Sequence, residues 1–379
     1  MKKIKNLVST LEQDMFDLLK RLVLIQSGTH NKGGVDEMAQ VLRDVLEDIP
    51  MQAEIIPMKE CGDMVLARNT LALKQKSILL AGHMDTVFPK DTSFNFYRED
   101  EERAFGPGVM DMKGGLVVGV TALKVLSLLG VLDKIPITVF FNSEEEIGSP
   151  YSRKNIEELA AQSMEAYVLE GGGLGSEVVV GRKGKIGFDL LIAGRAGHAG
   201  CAGVDKPSAV LEAAHKIIAL EGLNKPPDIL VNAGLVQGGM GPNSIAEKAS
   251  LGVDVRFVNP EDEELILEKI RSITEKCITP GTRAELVMKS SRPPMKTNSK
   301  IEEIYHKAFK AAEAAGVPIG KEVRGGVSDA NFITALGIPV LDGMGPCGDL
   351  DHSDQEYIIK KSMGQRVELL AHCLFENRL

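Results

Sequence analysis

The chain contains no tryptophan, and aromatic residues make up 4% of it. Stacking platforms for bases or other planar ligands therefore have little to be built from. A basic surplus is absent too. The net charge of −9 argues against tracking a phosphate backbone, which needs a basic face, so no nucleic-acid partner is expected. No stretch approaches the ~18 apolar residues of a membrane span, so no membrane partner is expected either. The five cysteines, Cys61, Cys201, Cys277, Cys347 and Cys373, are scattered, odd in number and without CxxC spacing. That pattern predicts free thiols in a reducing compartment. Cys347 lies close to His352, yet no base or second thiol accompanies it as a nucleophile or metal ligand would require. The opening residues, MKKIKNLVSTLEQDMFDLLKRL, start basic, but Glu12, Asp14 and Asp17 interrupt any apolar core. They read as an amphipathic helix and not as a signal peptide, and a cytoplasmic protein is expected.

What is present is an ordinary globular composition, 44% hydrophobic and 26% charged over 379 residues, long enough for two domains. The stretch ILLAGHMDTV, from Ile78 to Val87, organises the rest. Its apolar run reads as a buried strand. His83 and Asp85 follow it one residue apart, and residues i and i+2 of an extended chain point to the same side. An imidazole and a carboxylate are thus aimed past the strand's carboxyl end, where ligands sit in open α/β sheets. Alone, His-x-Asp at a strand end is an ordinary surface feature; the neighbouring segments change that. In AFGPGVMDMKGG, Gly106, Gly108, Gly114 and Gly115 surround Asp111, so the backbone turns tightly there. A helix over Leu116–Leu129 follows. A second apolar strand, Ile135–Phe141, runs into Glu144, Glu145 and Glu146, and a third, Ala166–Leu169, ends in Glu170. Pro339–Leu341 is a short strand that brings His352 in behind it. Hard oxygen donors with one or two imidazoles suit Zn²⁺, Mn²⁺ or Co²⁺. So many carboxylates repel one another unless cations neutralise them, and two cations do so better than one.

The pattern changes between Lys183 and about Met295. Strands over Lys185–Ala193, Ile229–Leu235, Ala246–Val258 and Arg283–Met288, with helices over Pro207–Leu220 and Glu261–Lys276, give a βαββαβ order. That order describes a separate four-stranded sheet with two helices on one face. The expected division is a discontinuous catalytic domain, 1–183 and 296–379, with an inserted domain at 184–295. His30, His215, His306 and His372 read as solvated or structural histidines.

HMDTV from His83, GPGVMDMKGG from Gly106, EEEIGS from Glu144, the strand-end Glu170, GRAGHAG from Gly194 and HSDQE from His352 occur in one order. Together they resemble, over nearly the whole length, the M20 family of dinuclear zinc peptidases and amidohydrolases, near its glutamate carboxypeptidases and aminoacylases. The resemblance implies an α/β fold: a zinc-peptidase-like α/β/α catalytic domain with an inserted α+β lid and dimerisation domain of four strands and two helices. It implies two Zn²⁺ per subunit, for which Co²⁺ or Mn²⁺ can substitute. Asp111 would bridge them, His83 and Glu170 would complete one, and Glu146 and His352 the other. Glu145 would be the general base on the attacking water, and Asp85 would fix the His83 tautomer from behind. A non-proline cis peptide is implied at Asp111-Met112. His198 would reach the partner's active site in a homodimer and stabilise an oxyanion. Asn243, Arg256, Arg292, Arg324 and Gly326, the last two in a glycine-rich loop, would contact substrate.

This chain departs from the family's usual pattern at three places: Glu144 replaces an Asp, three glycines replace the Pro after Glu170, and Ala246 replaces the Pro after Asn-x-Ile. These bear on specificity and leave the reaction type intact. The implied reaction is hydrolysis of an amide next to a free carboxylate, in small peptides or N-acyl amino acids. It would be carried out as a carboxypeptidase or as an N-acyl-amino-acid deacylase. A non-catalytic binding protein on the same fold would lack a ligand or the base, and none is missing. A dinuclear phosphoesterase would also use paired metals, but the inserted domain and GRAGHAG argue against it.

Overall fold

The run Ile78–Ala81 carries no polar side chain. In the computed structural model, which describes residues 2–376, the strand it seeds is buried along its whole length. Five strands, β1 (Gln52–Ile56), β2 (Met64–Arg68), β3 (Ser77–His83), β4 (Ile137–Asn142) and β5 (Ser163–Val168), join the short strand Val340–Leu341 in one sheet. The order is β1-β2-β4-β3-β5, then Val340–Leu341. β3 runs parallel to β4 and β5, and Val340–Leu341 is parallel to β5. β1 and β2 form an antiparallel margin. β4 is buried throughout as well, as parallel strands covered by helices on both faces must be.

The helix Gly114–Leu128 is almost wholly enclosed and packs against the helices Lys360–Phe375 and Lys2–Thr10. Its first turn presses on the end of β5: a Cβ on Gly115 would lie 1.7 Å from the Leu169 carbonyl oxygen. The helical spacing from Leu11 to Ile25 is realised as the helix Glu12–Leu24, and the amphipathic opening before it forms a helix of its own, Lys2–Thr10, separated at Leu11. No glycine or proline marks the break. It lets Ile4 and Val8 be buried on one axis and Met15, Phe16, Leu19, Leu22 and Val23 on another, so packing overrides local propensity. Among the described residues no helix is long and apolar enough to cross a membrane.

Contacts divide the chain into two units. The first holds the chain up to Gly181, Thr297–Arg324 and the chain from Ser328; the second holds Arg182–Lys296 and Gly325–Val327. Gly325–Val327 were expected with the first domain and group instead with the second. Residues 1 and 377–379 of the expected first domain lie outside the described residues.

The second unit is an antiparallel sheet of β6 (Gly184–Ala193), β7 (Ile229–Gly238), β8 (Lys248–Phe257) and β9 (Arg283–Arg292), in the order β7-β8-β6-β9. The helices Ala209–Glu221 and Asp262–Glu275 bury Ala209, Ala213, Ile266 and Ile270 in one core with Ile186, Phe188, Leu251 and Val255 of the strands. Lys216 and Glu212, one turn apart and both buried, stand 3.1 Å from each other. Lys216 Nζ donates to the carbonyls of Ile273, Thr274 and Lys276, and Glu212 accepts from the Ile278 and Thr279 N–H groups. The pair closes the end of the second helix, where carbonyls otherwise lack partners. The fold is thus the expected one: an α/β body carrying a second α+β unit of four strands and two helices.

Gly115→Ala is expected to destabilise the protein by more than about 3 kcal/mol, because the added methyl meets backbone that cannot move aside. Equilibrium denaturation of the two proteins checks this.

Candidate metal centre

Parallel pairing sets the strand ends side by side: His83 of β3 is opposite Asn142 of β4, and Ala81 is opposite Val168 of β5. Glu145, Glu146 and Glu170 follow within a few residues of those ends. Asp111 comes from the tight segment Val109–Lys113, where Asp111 and Met112 leave helical geometry and the Asp111-Met112 peptide is cis, as expected. His352 lies in the loop after Gly348–Asp349 with a φ of 62°, a region that residues other than glycine seldom adopt.

The Asp111 carboxylate is the hub. Its Oδ1 is 3.1 Å from His83 Nε2, and its Oδ2 is 3.1 Å from His352 Nε2. Glu170 Oε1 stands 3.7 Å from His83 Nε2 on one side, and Glu146 Oε2 stands 3.3 Å from His352 Nε2 on the other. Five of the predicted residues therefore converge, with one imidazole and one glutamate on each flank of Asp111. Donor atoms of His83, Asp111 and Glu146 all lie within 4.8 Å of one another, as do those of Asp111, Asp351 and His352. The sequence reading did not single out Asp351.

Asp85 sits behind. His83 Nδ1 is 3.0 Å from the Asp85 carbonyl and 3.3 Å from its Oδ1. The same carboxylate accepts the Thr29 hydroxyl at 2.6 Å and the N–H groups of Glu145 and Glu146 at 3.1 and 3.3 Å. It holds the histidine and the glutamate turn in one frame. Glu144 is turned away from the centre and buried, taking the N–H groups of Tyr151 and Ser152. Its role is to close the loop, which an acidic residue of either length can do.

Glu356, in the HSDQE motif, was missed as a site residue. Its fully buried carboxylate accepts the N–H groups of Gly108, Met110 and Asp111 at 2.9, 2.7 and 3.0 Å. Burial pushes its pKa up to about 7 against those bonds. The signal was its place in the motif that supplies His352, but its partners lie far away in sequence.

Gly172 explains the three glycines after Glu170. A Cβ there would come 2.1 Å from the Arg366 guanidinium, which is buried against the loop and donates to the Glu177 carbonyl. The Glu170 carbonyl accepts the Gly345 N–H at 2.7 Å, and the Gly172 N–H reaches the Pro346 carbonyl at 2.9 Å. The loop has no room for a side chain.

Charge is unbalanced at the hub. Burial alone would raise the Asp111 carboxyl, but its two imidazoles outweigh burial and hold it far below the usual range. Hydrogen bonds to Asp111 and Glu146 push His352 up to about 11. Burial and then the Asp111 charge push Glu146 up to about 8, and they drive Glu170 well above its ordinary range. The Glu145 charge adds to the upward push on both glutamates. Glu146 Oε1 is buried with no hydrogen-bond partner among the described residues. These upward shifts mean that protons and cations compete for the same oxygens and ring nitrogens. The mixed imidazole and carboxylate donors and the orphaned Glu146 oxygen fit divalent ions such as Zn²⁺, Co²⁺ or Mn²⁺.

The remaining predicted residues lie elsewhere. In the second unit His198 is exposed, its Nδ1 accepting the Gly200 N–H at 3.1 Å. It pairs in register with Ser244, and the Asn243 carbonyl accepts the Ala199 N–H, so His198 and Asn243 share one exposed corner. Register places Arg256, Lys185 and Arg292 in one row across β8, β6 and β9. Their strand neighbours Ile186 and Val255 face the helices, so the row is on the sheet face away from the helices. Lys185 was missed, since one lysine in a strand carries no signal before its neighbours across the sheet are known. Arg256 is clamped by Asp254 at 2.7 Å, and Arg292 is 1% exposed. Arg182 and Arg256 donate to the Gly326 and Gly325 carbonyls, each at 3.4 Å. In the first unit Arg324 is committed to Glu322 and to the Gly171 carbonyl. It supports the Glu170 loop and offers little to a ligand.

Residues 79–376 match the model of peptidase family M20/M25/M40. Carboxypeptidase G2 of a Pseudomonas strain is 28% identical over 367 residues, covering 94% of this chain and 88% of its own. Succinyl-diaminopimelate desuccinylase of a Wolbachia is 23% identical over 377 residues, covering 91% and 89%. Among solved structures, an M20 family metallo-carboxypeptidase from Sulfolobus solfataricus shares the fold, with a TM-score of 0.78 at 18% identity over 95% of this chain and 98% of that one. The match across both units, with the residues of the centre inside it, shows that the chain belongs to peptidase family M20/M25/M40, whose members are metal-dependent peptidases and amidohydrolases.

Proposed function

We propose that the chain hydrolyses an amide bond next to a free carboxylate, in small peptides or N-acyl amino acids. The observation that carries this is the convergence of two imidazoles and two glutamates, Glu146 and Glu170, on Asp111, with Glu145 next to Glu146 on the turn that Asp85 holds. His83 and Glu170 would hold one divalent ion, His352 and Glu146 the other, and Asp111 both. When bound, the ions supply Lewis acidity toward the carbonyl and acidify a water. Glu145 takes the proton from the attacking water and delivers it to the leaving nitrogen. Asp85 keeps His83 in one tautomer and fixes the backbone on which Glu145 and Glu146 stand. Asn243 and the row of Arg256, Lys185 and Arg292, near Gly326, would meet the substrate carboxylate, for which guanidinium groups suit. A carboxypeptidase and an N-acyl-amino-acid deacylase use this same chemistry and differ in the group that leaves.

The assembly proposed is a homodimer through the second unit, with His198 directed to the partner's oxyanion. Supporting it, β7 is an edge strand that exposes Leu235 and Val236, and the helix packed beside it exposes Leu211 and Ile218. Exposed edges of this kind are normally covered or charged. The five cysteines are all free, in keeping with the cytoplasm.

Glu145→Gln is expected to lower kcat by about 10²–10⁴-fold, the range of general acid–base catalysis, while retaining metal by elemental analysis. Glu146→Gln is expected to lose metal from the His352 side. Amine release from dipeptides, N-acetyl amino acids and aryl-glutamates reads the activity; silence from the parent across that panel would sink the hydrolase reading. Because His352 and Glu146 must shed protons to act as ligands, metal affinity is expected to fall as pH is lowered, first as His352 takes its proton below about 11 and more steeply once Glu146 does so below about 8. Calorimetry in buffers of different ionisation enthalpy should show proton release on metal binding at pH 7. Leu235→Asp with Ile218→Asp is expected to turn a dimer into a monomer in sedimentation, with turnover falling together with assembly.

A further inference from the structure

A cavity of about 360 Å³ lies in the first unit and shares Glu146, as one of its lining residues, with the metal centre. Val87, Phe88 and Ile147 give it apolar walls, and His30 and Lys90 stand at its exposed rim. Two segments build the walls and are tied to each other. Thr29 donates its N–H to the Thr86 carbonyl at 3.1 Å, and Gln26 Nε2 donates to the Phe88 and Pro89 carbonyls, both at 2.9 Å. The cavity is thus preformed, and its volume is at the low end for ligand sites, roughly 300–1,000 Å³, so it suits one substituent and not a whole ligand.

Its charges are arranged unevenly. Glu146 belongs to the metal centre. Lys90 forms no hydrogen bond or ion pair among the described residues, and neither does the His30 ring. In a chain of net charge −9, beside a centre crowded with carboxylates, an unpaired ammonium attracts anions. An anionic group entering here must keep away from Glu146, so an apolar spacer has to separate it from the reacting bond. Val87, Phe88 and Ile147 would bury that spacer.

We propose that this cavity receives the substituent on the Glu146 side of the scissile bond, and that it selects a short aliphatic group ending in a carboxylate held by Lys90, with His30 beside it. The acyl half of a dicarboxylic monoamide has this form. The placement of the scissile bond rests on the hydrolase reading; the preference for such a group is tested without turnover.

The test uses metal-loaded Glu145→Gln protein and two matched ligands, an N-glutaryl amino acid and its terminal carboxamide, compared by titration calorimetry. The carboxylate is expected to bind about three- to fivefold more tightly, the upper scale of one exposed charge pair. Adding Lys90→Ala, or the longer Lys90→Gln, should bring the two ligands within about twofold. Equal binding to the parent, a preference that survives both Lys90 variants, or no binding of either ligand would overturn the proposal. Turnover by the wild-type protein is read separately. Selective binding without turnover of any amide would sink the hydrolase reading and leave the cavity's preference standing.

Discussion

Carboxylates of like charge, gathered where water is scarce, set the terms for this structure. Asp111, Glu146 and Glu170 lie in burial deep enough that they cannot all be ionised without positive charge among them. The fold forces them together nonetheless. Parallel strands deliver His83, the glutamate turn and Glu170 at one end of the sheet, and a tight turn lifts Asp111 between them. What supports this crowding is a ring of backbone bonds behind it, through Asp85, Glu144 and Glu356. Each of these carboxylates accepts N–H or O–H groups, which offset part of the cost of burying it. Only the front-facing oxygens, Glu146 Oε1 among them, are left for a cation.

Much of this was legible in the sequence because the ligands sit at the ends of apolar runs. A run such as Ile78–Ala81 announces both a buried strand and the place where it stops, and the residues at that stop are read directly. The βαββαβ order of the second unit was legible for the same reason, since alternation in Lys248–Phe257 and helical spacing in Asp262–Glu275 are local signals. Glu356 was not legible as a support, because its three partners sit in a loop about 245 positions away and nothing local announces that contact. Nor was the basic row of Arg256, Lys185 and Arg292, which exists only once three strands are in register. The break at Leu11 was hidden for a different reason: no residue there disfavours helix, and the packing of two hydrophobic faces decides it.

The glycines after Glu170 show how a departure from a family's pattern can be filled from elsewhere. Where the family usually has a proline, this chain has Gly171, packed against Met110, and the Arg366 guanidinium fills the space beside the next residue, Gly172. Arg366 and Arg324 both lean on this loop, one through the Glu177 carbonyl and one through the Gly171 carbonyl. The stiffness that a proline ring gives within the backbone is supplied here by side chains from distant helix and strand.

The second unit interrupts the first, and this has a consequence for synthesis. A ribosome making this chain releases His83, Asp85, Asp111, the glutamates and Glu170 first. It then makes all of Arg182–Lys296, and only near the finish provides Val340–Leu341, His352 and Glu356. Until then the turn that carries Asp111 lacks the carboxylate that gathers its N–H groups, and the sheet lacks its last parallel strand. The nascent chain holds four of the five converging residues beside an unfinished sheet while the residues of the second unit are made. A chain interrupted before His352 would carry His83, Asp111, Glu146 and Glu170 without the second imidazole and without the Glu356 carboxylate that gathers the N–H groups around Asp111.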